Sequence, residues 1–287
     1  MLEERLDATI LKKFKMKSGN DPELKPWRTF SERHKNPKHT VSIALVGKYV
    51  ELTDAYKSII ESFVHAGASN ECRVSLKLIH SEEITQENVQ HMLQECAGIL
   101  VAPGFGHRGI EGKFVAIQYA REQNIPFLGI CLGMQCAVIE FARNVLNLPL
   151  ANSTEMSRKT AHPVIDIMAE QKDIADKGGT MRLGGFPCDI KKRTLAHKIY
   201  QTESIIERHR HRYEFNNAYL QDFEDAGMIA SGRNPQTNLV EIVEIPNHPF
   251  FIGVQFHPEY RSTVVKPHPL FEAFIKAALN SDKQKNK

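Results

Sequence analysis

The chain lacks several features that would assign it to a class outright. It has five cysteines in 287 residues. That number is odd and no two form a Cys-x-x-Cys pair, which excludes a disulfide framework or a cysteine zinc site and points to a reducing compartment. No apolar run approaches the roughly 18 residues of a membrane span, and the start has no signal-peptide core. A cytoplasmic chain with no membrane partner is expected. Basic and acidic side chains nearly balance, 37 against 34, for a formal charge of +3, so there is no broad electrostatic footprint for nucleic acid. The basic run Lys12, Lys13, Lys15 and Lys17 is short and has only Phe14 interleaved; it reads as a solvated helix face. Internal repeats and low-complexity tracts are also missing.

What is present is a soluble-domain composition, 41% hydrophobic, able to form one large core or two modest ones. Residues 1–39 carry Pro22, Pro26 and Pro37 in a charged setting and read as a linker. Residues 40–280 read as the domain, and 281–287 as a tail. From Val41 onward strand and helix signals alternate: strands at 41–46, 73–79, 98–102 and 125–130, helices at 56–65, 86–96 and 113–122. This pattern predicts an α/β fold, a mostly parallel central sheet with helices on both faces and active-site loops at the strands' carboxyl ends. The stretch from Asn147 to about residue 193 is irregular, with Gly178-Gly179 and Gly184-Gly185 expected as turns. Strands return at 210–215, 228–230, 239–245 and 251–256, and a helix at 270–279 closes the domain.

The most informative run is Gly129-Ile130-Cys131-Leu132-Gly133-Met134-Gln135. An apolar strand meets a helix whose Met134, Ala137, Val138, Phe141, Ala142 and Val145 share one face. Cys131 therefore sits at a helix start, where free N–H groups and the helix dipole favour a thiolate. The flanking glycines permit a strained turn, as in a nucleophile elbow. A second run, 251–259, is a strand ending in His257-Pro258-Glu259. With the proline fixing the backbone between them, Glu259 is expected beside His257 in an extended segment, orienting its imidazole in a Cys/His/Glu triad. A third strand breaks into Ala102-Pro103-Gly104-Phe105-Gly106, a loop able to aim Gly104 N–H at an oxyanion, with Leu132 N–H as the other donor. Taken singly, Cys131 would be a core cysteine and His257 a surface histidine; the three runs together favour chemistry. Cys72, Cys96, Cys136 and Cys188 read as structural.

Two other motifs fail as sites. Residues 106–113 imitate a phosphate loop, but His107 replaces its first glycine and Phe114 its magnesium-binding Ser/Thr. His209 and His211 alternate with arginines, which would stand beside any ion, so no metal is expected there.

In their chain order, loop 102–106, elbow 129–135 and His257-Pro258-Glu259, the three runs resemble a class I (triad) glutamine amidotransferase domain. Residues 46–58, 108–113, 151–155 and 208–214 resemble the branch of that family joined to an ATP-dependent synthetase that aminates UTP. The resemblance covers about residues 40–280 and extends weakly into the first 40. It implies that Cys131 attacks the side-chain amide of L-glutamine, His257 protonates the departing ammonia, and water cleaves the glutamyl thioester. It places Gly104, Leu132, Gly133, Met134, Gln135, Glu155 and Arg212 against the glutamine, with Arg212 suited to its carboxylate and Glu155 to its ammonium. The loop around Arg108, Gly109 and Glu111 is tied to GTP, an allosteric activator. No cofactor is expected in this chain. ATP and Mg belong to the synthetase domain, which is expected to be absent from it, and the full-length enzyme is expected to be a homotetramer. One departure stands out: the family's commoner Pro-Gly-Gly-Phe-Gly loop has Pro103 where the first glycine falls, and proline has no N–H, so the donor must be Gly104. The same triad would also serve another amidotransferase or a gamma-glutamyl hydrolase or peptidase, and a non-catalytic module could retain it.

Overall fold

The computed structural model describes residues 5–17, 24–167 and 181–285. Strand β1 (His39–Gly47) shows how the layers form, because its side chains alternate between two cores. Ala44 and Val46 enter one cluster, with Ile99, Val101 and Phe127; Ile43 and Leu45 enter the other, with Leu100, Leu128 and Ile130. Helices cover both. On one side lie α4 (Val89–Leu93), α5 (Ile110–Glu122) and α6 (Leu132–Asn144); on the other, α3 (Lys57–Ser69), α7 (Leu195–Tyr200) and α9 (Pro269–Lys285).

The central sheet has nine strands. The first five in spatial order are β2 (Cys72–His80), β1, β3 (Gly98–Val101), β4 (Phe127–Ile130) and β12 (Phe251–Val254), all parallel. Four antiparallel strands extend it: β11 (Val240–Glu244), β10 (Ile229–Arg233), β7 (Arg182–Ile190) and β8 (Ser204–His211). Because β3, β4 and β12 are parallel neighbours, their carboxyl ends share one edge, and the three chemical loops leave from it.

Several sequence expectations shift. The helix expected at 86–96 is confined to α4, because Asn88 accepts from Thr85 N–H and donates to Glu83 O, closing a turn ahead of Val89. The helix expected from Lys113 starts at Ile110, capped by Gly109 at φ 67°. The irregular stretch contains β5 (Ala151–Ser153), β6 (His162–Ile167) and all of β7, so Gly184-Gly185 lies inside a strand rather than a turn, paired with His209 and Arg208. Gly178-Gly179 falls outside the described residues. The strand expected at 210–215 is two, broken at Arg212: β8 belongs to the large sheet, and β9 (Tyr213–Phe215) joins β6 and β5 in a three-stranded sheet. The segment expected as linker contains α1 (Leu6–Lys13) and α2 (Lys25–Lys35), and α2 packs on α3 through Phe30 and His65. α9 continues into the expected tail as far as Lys285.

Candidate active site

Strand β4 delivers Cys131 into a backbone conformation of φ 52°, ψ −103°, the left-handed side that L-residues avoid. The close fit of the elbow explains its glycines. A Cβ on Gly129 would stand 2.8 Å from Gly133 C, and one on Gly133 would stand 2.2 Å from Val101 O. Helix and strands therefore touch backbone to backbone, and Cys131 is held by its N–H donating to Val254 O at 2.7 Å. The first turn of α6 supplies Leu132, Gly133, Met134 and Gln135, all buried.

His257 follows β12 and is buried, its N–H donating to Arg208 O. Its Nδ1 lies 2.7 Å from Glu259 Oε1, which leaves Nε2 for the Cys131 thiol. The pair forms differently from the expected extended segment, since Pro258–Arg261 is a 3-10 turn that brings Glu259 back beneath the ring. Burial disfavours the imidazolium, but the charge and hydrogen bond of Cys131, with the hydrogen bond and charge of Glu259, outweigh it and lift His257 from 6.5 to about 11. Tyr260 stacks on the imidazole, ring centroids 5.0 Å apart.

The structure brings Gly104 beside Leu132: a Cβ on Gly104 would be 3.4 Å from the Leu132 side chain. Glu155, just after β5, accepts from Gly106 N–H at 2.8 Å. The small sheet gathers the remaining glutamine-facing candidates, since the charges of both Glu155 and Arg212 act on the Tyr213 phenol, whose pKa burial raises. Arg108 pairs with Glu82 at 3.1 Å and lies over the Tyr49 ring, and Glu111 pairs with Arg143 at 3.3 Å. Gly109 caps α5.

Sequence reasoning missed Gln255. It is fully buried, donates to Cys131 Sγ at 3.6 Å and accepts from Gln135 Nε2 at 3.2 Å; Gln135 also donates to Tyr213 O. Gln255 is two residues before His257, and the alternation that points both side chains one way was the available signal. Lys48 and Lys113, which hold the Gly104 loop, were missed too, because their partners are 57 and 11 residues away in sequence.

Three buried groups, His209 and His211 on β8 and Glu241 on β11, offer ligand atoms within 4.8 Å of one another. Buried His209 Nε2 and Glu241 Oε2 have no hydrogen-bond partner among the described residues. His211 Nδ1 reaches Tyr213 O, the two rings meet at 3.1 Å, and Arg182 donates to Glu241 at 2.7 Å. Burial holds His209 near 2 and His211 near 3, and lifts Glu241 to about 7 despite Arg182.

An elbow cysteine, a carboxylate-backed histidine and a glycine loop on adjacent parallel strands have the arrangement expected of a triad amidotransferase. The family profile "Glutamine amidotransferase class-I" matches residues 51–277, and the chain belongs to that family. Within it, the chain is a glutaminase domain of the CTP synthase type. A solved structure, the Trypanosoma brucei CTPS glutaminase domain with bound acivicin, is 40% identical, with TM-score 0.79, covering 84% of this chain and 94% of that one. The CTP synthase of Flavobacterium johnsoniae is 61% identical over 284 residues, 99% of this chain and 53% of that protein. That of Bacteroides fragilis is 57% identical over 280 residues, 98% of this chain and 52% of that protein. The chain thus spans about half the length of the curated relatives it matches. A GMP synthase subunit of Thermoplasma acidophilum shares the fold at 15% identity and TM-score 0.54. Among the described residues, no helix is long and apolar enough to cross a membrane.

Proposed function

We propose that this chain hydrolyses L-glutamine through a thioester on Cys131 and that the ammonia serves an ATP- and Mg-dependent synthetase domain that converts UTP to CTP. The observation that carries the reading is the His257 ring, fixed at Nδ1 by Glu259 and with its protonated form favoured by the charge and hydrogen bond of Cys131. In this reading Cys131 Sγ adds to the amide carbon. The oxyanion is held by the N–H groups of Gly104 and Leu132. The imidazolium gives its proton to the leaving nitrogen as the tetrahedral intermediate collapses, and the now neutral His257 draws a proton from the water that cleaves the thioester. Arg212 takes the substrate carboxylate and Glu155 its ammonium. Gly133, Met134 and Gln135 line the amide end, and GTP acts through the loop of Arg108, Gly109 and Glu111. All five cysteines are free, which suits the cytoplasm, and we assign the full-length protein a homotetrameric assembly. The acivicin-bound relative supports the glutamine assignment.

The test is glutamate release from glutamine with and without GTP, together with labelling by a glutamine-mimicking diazo ketone. One label at Cys131, and loss of both label and hydrolysis in Cys131→Ala, is expected. Cys136 should stay unlabelled, because burial lifts its thiol to about 11 although Lys113 pulls the other way. Label at Cys136 would sink the assignment.

A further inference from the structure

Loop 102–106 is held at both ends by buried lysines. Lys113 leaves α5 on the side of the sheet core, is 0% exposed, and donates to Ala102 O at 2.7 Å. Lys48 follows β1, is 3% exposed, and donates to Phe105 O at 2.6 Å and Gly106 O at 2.8 Å. Glu155 takes Gly106 N–H at 2.8 Å, and Pro103 fixes φ at the second position of the loop. Between these anchors the N–H groups of Gly104 and Phe105 have no acceptor among the described residues. The carbonyls of Ala102, Phe105 and Gly106 and the N–H of Gly106 are tied down, which fixes the loop on both sides of Gly104.

We propose that Lys113 and Lys48 are positioning residues that clamp this loop with Gly104 N–H already aimed at the amide oxygen of the bound substrate, so that the oxyanion site is formed before substrate arrives. The inference rests on the glutaminase reading. One further fact supports it. Burying an ammonium is costly where an apolar side chain of similar length would fill the space, and burial accordingly lowers both lysines, Lys113 to about 8. A lysine kept for packing alone would carry that cost with nothing to offset it.

The experiment compares the whole chain with Lys113→Met and Lys48→Met in three measurements. Iodoacetamide alkylates Cys131 without forming a tetrahedral oxyanion, so its rate reports the nucleophile alone. Steady-state glutamate release reports the oxyanion step. Amide hydrogen exchange of the 102–106 peptide reports the clamp without any activity. Expected are a kcat lowered on the order of tenfold to a hundredfold, KM and alkylation rate nearly unchanged, and faster loop exchange in both variants. Thermal melting checks that each variant folds; if Lys113→Met does not, Lys48→Met decides. Unchanged loop exchange, or alkylation falling in parallel with kcat, overturns the clamp. A wild-type chain that releases no glutamate overturns the glutaminase reading instead, and loop exchange still tests the clamp.

Discussion

At the scale of single residues, His257 and Glu259 divide one task between them. In the proposed reaction His257 moves the protons at Cys131, whereas Glu259 acts through the 2.7 Å contact to Nδ1. His257→Ala should therefore abolish measurable glutamate release, and Glu259→Gln should retain a residue of activity, since an amide oxygen can still accept from Nδ1–H. Equal loss in both variants would mean that the carboxylate charge itself is required. Lys113 makes a prediction about stability. Its folded pKa of about 8 lies below the ordinary 10.5, so between those values the unfolded chain holds more protons and stability rises with pH. Below about pH 8 the whole penalty is present, about 3 kcal/mol for a shift of this size, against which the hydrogen bond to Ala102 O returns about 1 to 2. Lys113→Met should therefore unfold at higher denaturant than wild type at pH 7, with the difference shrinking toward pH 10. A variant less stable at pH 7 would show that the hydrogen bond outweighs the burial. These residues also separate what was legible from what was not. Cys131, His257 and Glu259 sit in contiguous runs whose chemistry the sequence displays, while Gln255, Lys48 and Lys113 act across the fold and acquire a role only once strands are paired.

Among elements, the elbow depends on β3, β4 and α6 touching without side chains between them. Gly133→Ala should cost about 3 kcal/mol and remove activity, because its Cβ would stand 2.2 Å from Val101 O and the helix must shift, carrying Leu132 N–H with it. Urea unfolding measures this, and a midpoint equal to wild type would show that the helix yields cheaply. The parallel strands were legible because each is an apolar run followed by a helix period. In the antiparallel extension β10 and β11 were legible at 228–230 and 239–245, whereas β7, most of β8 and the β5–β6–β9 sheet were not: β7 and β8 mix buried and exposed residues, β5 and β9 are three residues each, and Arg212 breaks the last run between two sheets. The His-Pro-Glu run shows the limit of local geometry, since extended backbone and a 3-10 turn can both set a carboxylate beside an imidazole.

For the whole molecule, the question is whether these residues alone can use the ammonia they release. The one stretch that imitates a phosphate loop, residues 106–113, is turned the wrong way: Lys113 is buried against Ala102 O instead of facing a ligand, and a Cβ on Gly112 would stand 1.8 Å from Ser81 O, so that backbone is packed against protein. Aminating UTP requires a phosphate to activate the uracil oxygen, and the 106–113 stretch is not placed to bind one. Around the loop, Tyr49, Leu52 and Phe105 are exposed, Phe105 by 48%; a partner domain closing there would shield the site and raise turnover. The chain supplied with ammonia, ATP and UTP should form no CTP, and with glutamine it should release one free ammonia for each glutamate, slowly. Adding the separate synthetase domain with GTP should speed glutamate release and divert that ammonia into CTP. CTP formed by the chain alone would refute this division of labour, and a glutaminase rate indifferent to the synthetase domain would place the control of turnover within the clamped loop itself.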